Sequence, residues 1–346
     1  MALARHILVI RLSAMGDVAM TVPVIKTVTE RFPDLKITLL TNKFFAPIFK
    51  DFKNVHVYEA EIHGRHKGVA GLRRLSHELE DLGIDAVADL HNVLRSNILK
   101  VFFQIAGIPV KQINKGRFQK KALTRRSNKV FKPLKSTHER YAEVFDKLGF
   151  PIDISVSASL PKEKISETVK ELTGVEPKKW LGIAPFAQHS SKVYPQDLME
   201  KVLDQLEKEE NLKVFLFGGG SRESGILKNW EEQFDNATSL AGKVSFSEEL
   251  AFISNLDAML SMDSGNGHMA ANYGIPVITM WGLTHPFAGF SPIGQPSSNW
   301  ILPDLEKYPA IPTSVYGKTV LEGYEDVMRS IPPETVTNKI KQILNL

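Results

Sequence analysis

Four short segments combine small, polar and charged residues directly after an apolar run, where a backbone can lie against a ligand. The first is Ser13-Ala14-Met15-Gly16-Asp17, after HILVIRL. Gly16 permits close approach of the chain to a bound group. Asp17 could take a proton from an attacking hydroxyl, or it could simply be an N-cap carboxylate for the helix that follows. The second is Ser190-Ser191-Lys192, after LGIAPFA. Its hydroxyls, backbone N–H groups and lysine could hold a phosphate, and an ordinary surface loop is the alternative. The third is Gly218-Gly219-Gly220-Ser221-Arg222-Glu223. There Glu223 could accept from ribose hydroxyls or serve only as a first-turn helix acid. The fourth is Asp263-Ser264-Gly265-Asn266-Gly267-His268, between DAMLSM and the small-residue stretch MAANYG. A bland helix start does not need this concentration of polar and small groups. Ser264, Gly265 and Asn266 could surround a diphosphate at a helix N-terminus, with Asp263 and His268 as fixed polar groups.

Several chemistries are not encoded. There is no cysteine, so disulfides, thiolate metal sites and a cysteine nucleophile are excluded. No HExxH is present and Asp263 and His268 lack a defined partner set, so no metal site is expected. The GxSxG elbow of a serine hydrolase and the GxGxxG dinucleotide fingerprint are also missing.

The elements that must position these segments alternate. HILVIRL reads as a strand and Asp17 to Arg31 as a helix, with Val18, Val22, Ile25 and Val28 at helical spacing. KITLLTN, VHVYEA and IDAVADLH read as strands, LRRLSHELEDLG as a helix, and a further helix runs from about Ser136 to Leu148. ISVSASLPKEKISETVKELTGVEPKK reads as an edge strand, a short helix and a connector. KWLGIAPFA opens a second series of the same rhythm, which continues through DLMEKVLDQLEKEE, LKVFLFGGG and DAMLSM. The class is therefore α/β, with two parallel sheets faced by helices. The expected division is 1–165, a linker at 166–178, and 179–330. The last helix, opened by Pro332 and Pro333, could cross back to the first domain.

The chain has 346 residues, 43% hydrophobic and 24% charged, which is globular and long enough for two domains. No stretch approaches the roughly 20 apolar residues of a membrane span, and the run Ile7 to Ile10 is cut short by Arg11. A net charge of +4 is too weak to suggest nucleic-acid binding. Its distribution is uneven, however: Lys111 to Lys135 is strongly basic and contains no acid. Arg117, Lys120, Lys121, Arg125 and Arg126 in this stretch are either a solvated face or a patch for phosphate groups or an anionic membrane surface.

ILVIRLSAMGDVAMTVPVIKTVTERFPD and DSGNGHMAANYGIPVITMWGLTHP, joined by IAPFAQHSSKVYPQDLMEKVLDQL, resemble the conserved segments of glycosyltransferase family 9, the lipopolysaccharide heptosyltransferases. The resemblance implies a GT-B fold, two Rossmann-like domains facing a central cleft. It also implies an inverting transfer of heptose from ADP-heptose to the inner core of lipopolysaccharide, with no cofactor. It assigns the base to Asp17, and donor or phosphate contacts to Lys192, Glu223, Asp263, Ser264, Gly265 and His268, beside which Ser190 and Asn266 are read from their chemistry as further donor-side residues. Ser13, Met15, Gly16 and the five basic residues named above fall on the acceptor side. The expected partners are a nucleotide-sugar and a phosphorylated glycolipid. The expected location is the cytoplasm, in peripheral contact with the inner membrane. The chain departs from the family where Gly282-Leu283-Thr284-His285-Pro286 replaces a common Gly-Pro-Thr-Asp-Pro, and it lacks the cysteine often found before the last helix. Another nucleotide-sugar, a sugar-nucleotide epimerase and a non-catalytic nucleotide- or glycan-binding protein are the competing readings.

Overall fold

The computed structural model describes residues 4–156, 159–174 and 178–346. In chain order the elements are β1 (His6–Ile10), α1 (Met15–Ala19), α2 (Val22–Arg31), β2 (Lys36–Thr41), β3 (Val55–Glu59), α3 (Gly68–Glu80), β4 (Ala86–Asp89), α4 (Leu94–Ile105), β5 (Val110–Gln112), α5 (Arg117–Thr124) and α6 (Thr137–Asp146). They continue with α7 (Glu167–Thr173), β6 (Lys179–Ala184), α8 (Gln196–Glu207), β7 (Leu212–Leu216), α9 (Gly220–Gln233), β8 (Ala237–Ser239), α10 (Phe246–Ile253), β9 (Ala258–Met262), α11 (Gly265–Asn272), β10 (Val277–Met280), β11 (Trp300–Ile301) and α12 (Pro333–Leu344).

Two compact units form, and each is a Rossmann-like parallel sheet flanked by helices, the construction of the GT-B fold. The first has the strand order β3-β2-β1-β4-β5 and the second β11-β10-β9-β6-β7-β8. Every pairing is parallel. Ile7, Leu8, Val9 and Ile10 of β1 are all fully buried. That is why this strand reads as an unbroken apolar run rather than an alternation. Each such side chain contributes about 1.5–3 kcal/mol by leaving water.

Strand order fixes where a ligand can bind. In the first sheet the order reverses between β1 and β4, and in the second between β6 and β9. The loops leaving such a pair in opposite directions open a crevice at the carboxyl ends of the strands. Asp17 follows β1, Lys192 follows β6 and Asp263 follows β9.

The units depart from the expected division. The first comprises Met1–Gly116 and Ser136–Ala158, and the second Arg117–Lys135 and Ser159–Leu346. Arg117–Lys135 joins the second unit through specific contacts: Leu134 N–H donates to the Phe287 carbonyl at 2.9 Å, and Lys129 Nζ donates to the Ala310 carbonyl at 2.6 Å. The expected linker also packs there, since Ser166 Oγ meets Glu248 Oε1 at 3.0 Å and Lys213 Nζ donates to the Thr173 carbonyl at 3.2 Å. Helix α12 belongs to the second unit. Val336, Ile340 and Leu344 enter the core of the second, and Lys341 pairs with Glu209 at 2.5 Å.

Two element readings also change. The helix expected from Asp17 to Arg31 is broken between α1 and α2, because Pro23 has no N–H to continue the ladder. In place of the edge strand at ISVSASL there is a short 3-10 turn, Ile154–Val156. Ser157 and Ala158 of that reading, and residues 175–177 of the connector, lie outside the described residues.

Candidate functional site: two switch-point loops

In the first unit the chain leaves β1 through Arg11 and Leu12 and enters α1 at Met15, with Gly16 and Asp17 in its first turn. The N-cap is Ala14, so Asp17 does not cap the helix. Its carboxylate instead meets Arg11 Nη2 at 2.5 Å. Arg11 is nearly buried and its Nη1 donates to the Leu90 carbonyl at 2.8 Å. The guanidinium thus ties the loop after β4 to the carboxylate after β1 and fixes its direction. Asp17 keeps 32% of its side-chain surface open, enough for a hydroxyl to reach it. Ser13 is exposed, and Met15 and Gly16 are half-buried beside it.

His91 supports the same loop. Leu12 N–H donates to His91 Nδ1 at 3.3 Å, which requires that nitrogen to be unprotonated. Burial, then the neighbouring Arg11, Lys115 and Arg95 charges, push the imidazole down to about 3, so it stays neutral and keeps accepting. Arg11 and His91 were not identified from sequence. The one signal was a charge placed immediately after an apolar strand, where burial demands a partner.

In the second unit Lys192 ends a short 3-10 turn, Ser190–Lys192. Its ammonium meets Asp263 Oδ2 at 2.9 Å, and Thr284 Oγ1 donates to the same oxygen at 2.8 Å. The Lys192 and Asp263 side chains are only 14% and 8% exposed. Three loops, after β6, β9 and β10, therefore meet on one carboxylate oxygen. Gly282 allows this approach, because a Cβ there would sit 2.1 Å from the Ser191 carbonyl oxygen. Ser190 is exposed and borders a pocket of about 230 Å³ walled in part by Leu283, Met328 and Arg329.

Ser264 is the N-cap of α11, and its Oγ lies 3.2 Å from Ser261 Oγ. Gly265 opens the helix and Gly267 faces Ser261 and Val277 so closely that a Cβ would crowd both. His268 is buried. The first-turn N–H groups of α11 thus begin beside the Lys192 ammonium's partner, an arrangement suited to an anion. Glu223 is placed differently: its carboxylate accepts from Gly219 N–H at 2.9 Å, closing the first turn of its own helix α9. Asn266 contacts Glu249 of α10.

Burial pushes the Glu249 carboxyl up to about 7, against the hydrogen bond from Asn266. The folded chain then holds a proton that the unfolded chain releases near 4.5, so this group's contribution is complete below 4.5 and is lost as pH rises to about 7. Glu249→Gln keeps the hydrogen bond without the buried charge. It is expected to raise unfolding free energy above pH 7 by about 2 kcal/mol, with no gain below the unfolded value, in urea titrations at both pH values.

The basic residues divide. Arg117, Lys121, Arg125 and Arg126 are exposed, whereas Lys120 turns inward with its ammonium 4.0 Å from the Phe290 ring centroid. All five lie in the second unit, while Ser13, Met15 and Gly16 lie in the first. His285, the departure at the Gly282–Pro286 segment, is buried against Phe131 and Phe287, and burial together with Lys129 lowers it to about 4. Among the described residues no group of three His, Asp or Glu is placed to hold a metal, and no helix is long and apolar enough to cross a membrane.

Known proteins share this plan. The lipopolysaccharide core heptosyltransferase OpsX of Haemophilus influenzae is 24% identical over 293 residues, 82% of this chain and 80% of that protein. The glycosyltransferase family 9 structure from Veillonella parvula superposes with a TM-score of 0.76 at 18% identity, covering 100% of this chain and 99% of that one. The structure of E. coli ADP-heptose lps heptosyltransferase II gives 0.67 at 21% identity, covering 98% of each. The model of glycosyltransferase family 9 (heptosyltransferase) matches residues 72–318, from α3 to beyond the Lys192–Asp263–Thr284 cluster, and the chain accordingly belongs to this family of nucleotide-sugar-dependent glycosyltransferases.

Proposed function

We propose that the protein transfers heptose from ADP-heptose to the inner core of lipopolysaccharide, with inversion at the anomeric carbon. The observation that carries this is the pair of switch-point loops, one presenting an oriented carboxylate and the other an ammonium beside a helix N-terminus. The substrates are those of its relatives, a lipopolysaccharide core heptosyltransferase and an ADP-heptose lps heptosyltransferase.

In this reading Asp17 accepts the proton of the acceptor hydroxyl as its oxygen attacks the anomeric carbon. The bond from that carbon to the diphosphate breaks on the opposite side, which gives inversion. The departing diphosphate gains charge, which Lys192, Ser264 and the first-turn N–H groups of α11 stabilise. Arg11 and His91 act as positioning residues for Asp17. Ser190 and Glu223 complete the donor side, and a phosphorylated glycolipid at a membrane surface is the acceptor.

Purified protein incubated with ADP-heptose and truncated lipopolysaccharide core, resolved by mass spectrometry, tests this. One added heptose and released ADP are expected. ADP-heptose isomerised without acceptor would identify an epimerase. Donor binding with neither product would leave a binding protein.

A further inference from the structure

Helix α4 of the first unit has two apolar faces, and the fold uses one. Leu99 and Phe103 are fully buried and pack with Leu72 and Leu75 of α3. On the opposite side Leu94, Val101 and Ile105 follow one another at steps of seven and four residues, which lines them up in a single stripe, while Ile98 beside them is partly buried against the core. Leu94 is 77%, Val101 51% and Ile105 79% exposed. Scattered apolar residues on a surface are ordinary, but a continuous stripe on one helix marks an interaction surface.

The charges along this stretch of chain are of one sign. Between Leu90 and Gly116 the first unit carries Arg95, Lys100, Lys111 and Lys115 and no acidic residue. On the helix itself Arg95 lies roughly 100° round from the stripe on one side and Lys100 roughly 120° round on the other. An exposed apolar stripe flanked by cations is the composition of a helix that lies in a bilayer interface, its apolar side chains among the acyl chains and its cations at anionic headgroups. A second copy of the chain fits less well, because a two-fold contact through this face would bring Arg95 and Lys100 up against the same cations of the other copy.

We propose that the outer face of α4 docks the first unit onto an anionic phospholipid surface. This deepens the glycolipid-acceptor reading, since it places the unit bearing Asp17 at a lipid surface, but its readout is independent of turnover.

The test is co-sedimentation of the full chain with phosphatidylcholine vesicles, with and without phosphatidylglycerol. The protein is expected to sediment with the anionic vesicles and to be released by added salt. Leu94→Gln/Ile105→Gln is expected to weaken partitioning by about tenfold or more, at unchanged melting temperature because both side chains face solvent. Arg95→Gln/Lys100→Gln should leave residual binding that responds less to salt, with Lys111 and Lys115 still present. Equal vesicle binding by wild type and Leu94→Gln/Ile105→Gln would overturn the proposal. So would a wild-type dimer in solution that the same pair of substitutions disperses. Transfer to a detergent-solubilised acceptor should be unaffected by Leu94→Gln/Ile105→Gln. Its failure in wild type would count against the transferase reading and leave the vesicle result standing.

Discussion

Asp17→Asn should lower transfer from ADP-heptose by about 10²–10⁴-fold, the range lost when a positioned general base is removed. Asparagine keeps the shape of the side chain but cannot take up the hydroxyl proton. It also loses the ion pair with Arg11, leaving that nearly buried guanidinium bonded to the Leu90 carbonyl but without its carboxylate. Donor binding should be unchanged, because Asp17 and the Lys192–Asp263 cluster lie in different units. Single-turnover rates and donor titrations on the same preparation separate the two effects. A variant with wild-type turnover would remove Asp17 from the chemistry. Arg11→Lys offers a graded comparison: a lysine can hold one oxygen of Asp17 but not also reach Leu90 in the planar fork. Its turnover should fall between wild type and Asp17→Asn.

The second large effect is expected at Lys192. Lys192→Met preserves the apolar stem and removes the charge. Donor affinity should fall about 10- to 100-fold, the worth of a charge-assisted hydrogen bond to phosphate. Stability should fall as well, because Asp263 is 8% exposed and would keep only Thr284 as a partner. Removing one member of a buried ion pair costs about 3–5 kcal/mol, and the retained Thr284 bond places the expected loss at about 2–4 kcal/mol. Adding Asp263→Asn to Lys192→Met should recover part of that stability without restoring affinity, since it deletes the stranded charge but not the missing cation. Urea unfolding and donor titration of the four members of this cycle measure both quantities.

Much of the fold was legible. Buried parallel strands appear as apolar runs, and β1, β2, β4, β6, β7 and β9 were all readable on that basis. The capping box of α6, in which Ser136 accepts from Glu139 N–H and Glu139 from Ser136 N–H, falls where the helix was expected to start. The candidate residues were legible as segments but less so as partners. Spacing along the chain shows that Lys192 and Asp263 are small-loop residues after strands. It does not show that they are bonded to each other across 71 positions, which depends on strand order. Arg11, His91 and Glu249 were missed for that reason: each acts on a neighbour supplied by a different loop or helix, and Thr284 was legible only as part of its segment. Glu223 was read as either a nucleotide contact or a helix acid, and its bond to Gly219 N–H realises the second without deciding the first. The unit boundary was misplaced because a basic, polar stretch looks solvated in sequence, whereas Lys120 and Lys129 use their long apolar stems to reach interior partners.

The route of the chain through the two units has a consequence for synthesis on the ribosome. Residues 117–135 emerge early, but Phe287, Phe290 and Ala310, against which they pack, lie more than 150 residues later. At about 5–20 residues per second the segment waits roughly 10–30 s for its partners. Throughout that interval a run of cations, with Phe118 and Phe131 among them, is attached to a nascent first unit whose own sheet is already fully translated up to β5. Such a segment is open to polyanions and to chaperones before it is open to its own fold, and a ribosome pause between residues 135 and 287 would lengthen that exposure.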